Sequence, residues 1–126
     1  MAEFSFPRSQ KIINEFQTTI NAIGDIFNDK LMSSEFRRAP LFYSLFCVIY
    51  DAKFGLPKSN HPRLSLTKKR NKILLEELQK LDKVIRTKEP AKRFVSFVDA
   101  AKLSTADPGK RKLRHDFLWD NVLSKI

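Results

Sequence analysis

Residues 40–53, with the sequence PLFYSLFCVIYDAK, decide the fold class of this chain. Apart from Ser44, every residue from 41 to 50 is apolar or aromatic. Pro40 suits the first turn of a helix, and Gly55 followed by Pro57 is typical of a helix end. A helix that is apolar nearly all round is covered by other elements on several sides. We therefore predict a central helix from about residue 40 to residue 53.

The segments on both sides of this helix also repeat their apolar residues at steps of three and four, and none alternates like a strand. They predict helices at about 9–28, 67–87, 90–103 and 108–124. In the first of these, one apolar face is expected to be buried, formed by Ile12, Ile13, Phe16, Ile20, Ile23 and Phe27. The predicted fold is all-α, with about five helices packed as an irregular orthogonal bundle around the central helix.

The domain organisation is simple, because 126 residues correspond to about one domain. Residues 1–8 are expected to be flexible or partly vector-derived, since Glu3-Phe4 is what a common restriction site encodes, and the chain is then a fragment of something longer. Residues 55–66 are expected to form a connecting loop, because two prolines disfavour helix there. No apolar run reaches the roughly 20 residues of a membrane span, and no signal peptide is visible, so a cytoplasmic location is expected.

Positive charge is concentrated in the second half of the chain. The net charge is +10, and residues 1–60 contain seven Lys/Arg against six Asp/Glu, whereas residues 61–126 contain seventeen against eight. Such an asymmetry favours an anionic partner for the second half. The alternative is a solvated surface whose charge serves solubility alone.

Within that half, cations cluster at two predicted helix starts, where they oppose the helix dipole. An unfavourable local arrangement often has a reason outside the helix, and phosphate groups supply one. If the two starts are adjacent, they form one patch with little capacity to distinguish bases. The predicted nucleic-acid-binding residues are Lys68, Lys69, Arg70 and Lys72 in the third helix, Lys110, Arg111, Lys112 and Arg114 in the fifth, and Arg37 and Arg38 ahead of the second.

Catalytic and metal-binding signatures are missing from the local sequence. His61, His115 and Cys47 do not occur at ligand spacings such as His-x-x-x-His or Cys-x-x-Cys, and His61 is expected to be solvated. The three glycines are far apart, so no phosphate-binding loop is expected. Cys47, the one cysteine, is interpreted as a small buried apolar residue. We therefore expect no metal, no cofactor and no enzyme activity.

One arrangement is an exception to that conclusion. All-helical ribonucleases of the HEPN superfamily use an arginine followed by four to six residues and a histidine. Here Arg111 precedes His115 with three residues between them, which places both on one helix face. The histidine would act as acid or base and the arginine would stabilise the phosphate. Ribonuclease activity is a further hypothesis, although the spacing departs from the family pattern.

The order of segments resembles the helical C-terminal portion of the GmrSD-type family of phage-defence and restriction proteins. The resemblance covers most of the chain and is carried by Ile26-Phe27, by residues 36–46 (FRRAPLFYSLF), by Ile49-Tyr50, and by Thr105, Arg111 and residues 114–118 (RHDFL). Proteins of that family place a ParB/sulfiredoxin-like domain first and a helical region after it. Their catalytic Asp-Gly-Gln-Gln-Arg type segment is absent here, so the resemblance implies a non-catalytic helical part.

Two function classes follow from the sequence. The first is a non-catalytic basic module that binds DNA or RNA, as part of a bacterial restriction or phage-defence protein. The second is a protein-interaction or assembly domain, because eight of the eleven Phe residues lie in residues 1–60. Four of these lie outside the helical stripes and are expected to form an exposed patch, namely Phe4, Phe6, Phe36 and Phe54.

Overall fold

The computed structural model describes residues 6–103 and 107–126, and the side chains of residues 8–102 and 107–126. This part of the chain contains five α-helices and no β-strand, which confirms the all-α prediction. The helices are α1 (Phe6–Phe27), α2 (Ala39–Lys53), α3 (Lys68–Arg86), α4 (Val95–Leu103) and α5 (Pro108–Asn121). Among the described residues, no helix is both long and apolar enough to cross a membrane.

Four short 3₁₀ turns lie between or after the α-helices of the described residues, at Leu31–Ser33, Glu35–Arg37, Lys92–Phe94 and Leu123–Lys125. The last two stand where the fourth helix was predicted to begin and the fifth to end. The fourth helix was predicted from Pro90, but Ala91 is extended, with a ψ of 148°, so the α-helix begins only at Val95. The start and end of α3 agree closely with the prediction, because the Thr67 hydroxyl accepts a hydrogen bond from the Arg70 backbone N–H and caps the helix.

The apolar helix α2 packs against α1, α5 and the Glu35–Arg37 turn. Its residues Leu41, Leu45, Val48 and Ile49 are almost completely buried, as expected for a helix at the core. Coverage is not complete on all sides, however, because the Tyr43 side chain is 50% exposed. That uncovered side of α2 faces the cleft described below.

Helix α1 buries only the second half of its predicted apolar face. Ile23 and Phe27 are buried, whereas Ile12, Ile13 and Phe16 remain 56%, 58% and 54% exposed. The prediction for these three residues was wrong. At about 1.5 Å per residue, α1 is roughly 33 Å long and α2 roughly 22 Å, so α1 is longer than the helix on which it mainly packs.

The predicted exposed Phe patch does not form as expected. Phe36 is fully buried and lies against the Phe27 ring, with ring centroids 6.1 Å apart. Phe54 is half-buried against Tyr50, with ring centroids 5.3 Å apart. Phe4 and the Phe6 side chain lie outside the described part of the chain. The prediction that Phe36 is exposed was wrong, since the Glu35–Arg37 turn directs it into the core.

Arg114 is the largest of the fully buried side chains, although the sequence analysis placed it on a phosphate-binding surface. Its Nε donates to the Ser44 hydroxyl and its Nη1 to the Ala100 carbonyl, both at 2.8 Å. Ala100 lies in the last turn of α4, where carbonyls lack helical partners and the helix dipole favours a cation. The Arg114 guanidinium therefore joins α5 to α2 and α4, and it is not available to a nucleic acid.

Replacing Arg114 with Ala is expected to lower the free energy of unfolding by about 2–4 kcal/mol, because the Ser44 hydroxyl and the Ala100 carbonyl lose a charged partner inside the core. Equilibrium urea unfolding measures this change. Lys112→Ala is the matched control on the same helix, and it should leave the free energy of unfolding close to that of the parent chain because Lys112 is exposed. Equal stabilities of the two variants would contradict a structural role for Arg114.

Candidate functional site

A cleft of about 440 Å³ lies between the end of α2, the loop after it and the first turns of α5. Its walls combine titratable, hydroxyl and cationic side chains, including Tyr43, Cys47, Asp51, Lys58, Ser59, His61, Arg111, Lys112, His115 and Asp116. Both histidines of the chain line this cleft, together with the carboxylates of Asp51 and Asp116. The chemistry of the chain is therefore concentrated here.

Asp51, in the last turn of α2, is a fully buried carboxylate at the inner side of this cleft. Its Oδ1 accepts a hydrogen bond from the Leu56 backbone N–H, and its Oδ2 accepts one from the Ser59 hydroxyl, both at 2.9 Å. Two imidazoles lie against the same Oδ2, His61 Nδ1 at 2.9 Å and His115 Nε2 at 3.3 Å. A charge buried at this depth requires such a set of donors.

The surroundings of Asp51 affect its pKa in two opposite directions. Burial by itself raises the pKa, because water no longer solvates the charged form. The hydrogen bonds from His61, Leu56, Ser59 and His115 favour the carboxylate and outweigh burial, so the pKa of Asp51 lies below its ordinary value. Asp51 is therefore negatively charged at neutral pH.

The two histidines come from separate parts of the chain. His61 lies in the loop after α2, and its ring stacks on Trp119 of α5 with centroids 3.9 Å apart and planes 9° from parallel. His115 lies in the second turn of α5, with its ring centroid 6.1 Å from that of His61. Both side chains are mostly buried, with 29% and 17% exposed. The expectation that His61 is simply solvated was wrong.

The loop of residues 55–66 is held in place by its contacts with the end of α2. The Gly55 N–H donates to the Asp51 carbonyl at 3.0 Å, and the Leu64 N–H donates to the Ala52 carbonyl at 2.8 Å. Gly55 has a φ of +86°, and a Cβ there would lie 1.8 Å from Nη2 of Arg63. The positive φ strains any residue with a Cβ, so glycine favours the turn that brings His61 back to Asp51.

Cys47 also lines the cleft. Burial raises the pKa of its thiol, and this outweighs the opposing hydrogen bond with Tyr43 and the positive charge of Arg111. The protonated form dominates at neutral pH, and a thiol is a poor nucleophile compared with a thiolate. The interpretation of Cys47 as a small buried apolar residue holds only in part, because its side chain is half-buried in the wall of the cleft.

The basic residues at the start of α3 form a surface that we name the α3 cluster (Lys68, Lys69, Arg70 and Lys72). Lys68, Lys69 and Lys72 are exposed. Arg70 is half-buried and donates to the Ser65 carbonyl at 2.9 Å. Lys68 and Lys72 line a groove of about 530 Å³ together with Asp25 and Asn28, near the end of α1.

The basic residues at the start of α5, the α5 cluster (Lys110, Arg111 and Lys112), lie elsewhere. Arg111 is half-buried, with its guanidinium 5.8 Å from the centroid of the Tyr43 ring. Lys112 is exposed and paired with Asp116 at 2.6 Å. Arg111 and Lys112 line the Asp51 cleft, whereas no α3 residue does. Helix α3 packs mainly on α1, whereas α5 packs mainly on α2 and α4, and the two clusters line different clefts. We therefore treat them as two separate basic surfaces.

Arg37 and Arg38, the remaining predicted phosphate contacts, belong to a local ion-pair network around Glu35. Arg38 Nη1 lies 3.1 Å from Glu35, and Arg37 Nη1 donates to the Ser34 carbonyl at 2.7 Å. Arg86 of α3 joins the same network through Glu35 and Asp82. Arg86 connects the Glu35–Arg37 turn to α3, and Glu35 balances the charges of Arg37 and Arg38 locally.

Local spacing in the sequence could not reveal the Asp51 site. Its three members, Asp51, His61 and His115, are separated by loop and helix, and the fold brings them together. The only sequence signal was Asp51 itself, a carboxylate on a helix otherwise apolar for three turns. The ribonuclease hypothesis also involves this cleft, because both Arg111 and His115 line it. It stays a prediction, with His115 engaged by Asp51 and Arg111 directed towards Tyr43.

Replacing Asp51 with Asn is expected to lower the free energy of unfolding by about 2–4 kcal/mol, because an amide cannot accept all the hydrogen bonds that the carboxylate accepts. A chelator is included so that trace metal ions do not contribute to the difference. Chemical unfolding at neutral pH provides the measurement. Asp116→Asn changes a carboxylate on the rim of the same cleft, which pairs with exposed Lys112, and should cost no more than about 0.5 kcal/mol. If the Asp51→Asn variant is as stable as the parent chain, the hydrogen bonds to residue 51 do not need a charged acceptor, and the prediction is wrong.

In comparisons with known proteins, no family model matches the chain, and neither does any curated protein or solved structure. The resemblance to the helical portion of GmrSD-type proteins therefore stays a prediction from the sequence. The observations on which a function can be based are the two basic surfaces, the Asp51 cleft and the exposed apolar residues of α1.

Proposed function

We propose that the chain is a non-catalytic module that binds nucleic acid through phosphate contacts, mainly at the α3 cluster. The observation that carries the proposal is the exposure of Lys68, Lys69 and Lys72 around the first turns of a 19-residue helix. Within the described part of the chain, none of these three ammonium groups forms an ion pair. Their charge is therefore directed towards solvent or a partner.

The local electrostatics of α3 support an anionic partner. The first turn contains no acidic residue, and the partial positive charge of the helix start adds to the lysine charges. Like charges so close together are unfavourable in the free protein, and a phosphate backbone would relieve that repulsion while releasing counterions. Flexible lysines provide point charges without a base-reading pattern, which favours binding that is largely independent of sequence.

The α5 cluster has a smaller part in this proposal than the sequence suggested. Lys110 and Arg111 are half-buried, and Lys112 already has Asp116 as its partner. A nucleic acid contacting both clusters would have to pass from one surface of the bundle to another. We assign the principal phosphate contacts to α3 and secondary ones to α5.

The resemblance stated for the sequence provides a setting for this activity. In a GmrSD-type protein, a helical module with exposed lysines would hold DNA for a catalytic domain that lies earlier in the chain. Such a role belongs to a bacterial restriction or phage-defence protein acting in the cytoplasm. Two independent observations support this role. The order of segments is the basis of the resemblance, and the exposed lysines of the α3 cluster are the basis of DNA binding.

Neutralising the α3 cluster should weaken binding and reduce its dependence on salt. The triple variant Lys68→Gln, Lys69→Gln, Lys72→Gln removes up to three phosphate contacts. Each lost contact lowers the slope of log K against log salt by about 0.7–0.9, so a total decrease of about 2–3 is expected. Fluorescence anisotropy with a labelled single-stranded and a labelled duplex oligonucleotide, across a salt series, measures both quantities.

A matched control is available on the same helix and just beyond it. Lys80→Gln, Lys83→Gln, Lys88→Gln removes the same charge near the opposite end of α3, where all three residues are exposed. This variant should keep a slope within about one of the parent chain. Equal losses in the two triple variants would show attraction to net charge alone and would refute the assignment to the α3 cluster.

A second candidate function, self-assembly, is favoured by one specific observation. Ile12, Ile13 and Phe16 are each more than half exposed on the first half of α1. Beneath them an aromatic row continues into the fold, with the rings of Phe16 and Phe46 4.7 Å apart. A second copy of the chain presenting the same face would bury these residues in a symmetric contact.

If α1 mediates assembly, the double variant Ile12→Glu, Ile13→Glu should shift a micromolar solution of the chain from dimer to monomer, because buried like charges oppose the contact. Multi-angle light scattering after gel filtration reports the mass directly. Met32→Glu with Val95→Glu alters two exposed apolar residues at other places and should leave the mass unchanged. A parent chain that is monomeric at these concentrations rules the candidate out.

A further inference from the structure

We propose that Asp51, His61 and His115 bind one divalent transition-metal ion of the zinc class. Asp51 Oδ2, His61 Nδ1 and His115 Nε2 all lie within 4.8 Å of one another. Two imidazoles and one carboxylate are a donor set typical of catalytic zinc sites, whereas magnesium and calcium prefer oxygen donors alone. This inference goes beyond the nucleic-acid-binding function and does not depend on the α3 cluster.

The distances between the ligand atoms suit a single small ion. Ligands about 2.0–2.2 Å from zinc in a tetrahedral arrangement lie roughly 3.3–3.6 Å apart. The Oδ2 atom of Asp51 is 3.3 Å from His115 Nε2 and 2.9 Å from His61 Nδ1. The Asp51 oxygen and the two imidazole nitrogens are therefore near enough to one another to share one ion.

The surrounding groups orient these ligands. Leu56 N–H and the Ser59 hydroxyl hold the Asp51 carboxylate, and Trp119 stacks flat against the His61 ring. Outer contacts of this kind fix ligand orientation in metal sites and raise affinity. The three ligands come from α2, the following loop and α5, so the ion would also join these elements and stabilise the fold.

The cleft leaves room for a further ligand. Among the residues that line the cleft, Tyr43 and Lys112 are exposed to solvent and Arg111 is half-buried. Three protein ligands with one open position are the arrangement of catalytic rather than structural zinc sites. The positive charge of Arg111 would favour an anion, such as inorganic phosphate or a carboxylate, over water at the open position.

The test uses the full chain without an affinity tag, treated with chelator and then titrated with ZnCl₂ and CoCl₂ by calorimetry and visible absorption. The expected result is one ion per chain and the intense visible bands of four-coordinate Co²⁺. The double variant His61→Gln, His115→Gln keeps amide donors for Asp51 but lacks both imidazoles. It should bind at least about 100-fold more weakly, since even outer contacts contribute 10–100-fold.

The control variant Cys47→Ser, Asp116→Asn removes the other two metal-binding side chains that line the cleft and should keep the parent affinity. Binding that is equal in the parent and the histidine variant, or binding lost in the control, overturns the proposal. If the histidine variant does not fold, X-ray absorption of the zinc-loaded parent chain decides the question. Scattering from two imidazoles supports the site, and its absence refutes it.

Discussion

The carboxylate of Asp51 is buried at the end of the most apolar helix of the chain, and a charge in that position has to be matched by hydrogen-bond donors. Leu56 and Ser59 provide two from the loop, and the imidazoles of His61 and His115 lie against the same oxygen. Because these groups come from α2, the loop and α5, satisfying one charge determines how the three are arranged. The candidate cleft is a consequence of that requirement.

A second buried charge acts on the same interface. Arg114 and His115 are consecutive in α5, and they reach Ser44 and Asp51, which lie two helical turns apart on α2. The Arg114–Ser44 and His115–Asp51 contacts together determine the separation and the register of α2 and α5. Apolar packing alone would leave that register less well defined. The same contacts explain why the basic segment of α5 contributes less to the surface than its composition implies.

The two proposed activities therefore use different parts of the molecule. Phosphate binding belongs to the α3 cluster, whose lysines remain exposed, and metal binding belongs to the cleft at the end of α2. The exposed apolar residues of α1 form a third surface, on a helix that is longer than its main packing partner. Each surface can be altered without changing the others, since the residues concerned lie on different helices.

The sequence by itself determined the all-α class, the apolar helix near residues 40–53 and the limits of α3, because helical periodicity and capping residues act over a few neighbours. It could predict that cations gather at two helix starts, yet it could not show whether the starts meet. Only the tertiary structure shows that Arg114 and Phe36 are buried, that Ile12 is exposed, and that His61 and His115 lie side by side. The physical reason is that burial and pairing depend on which helices pack together, and contacts between residues far apart in the chain leave no local periodic signal.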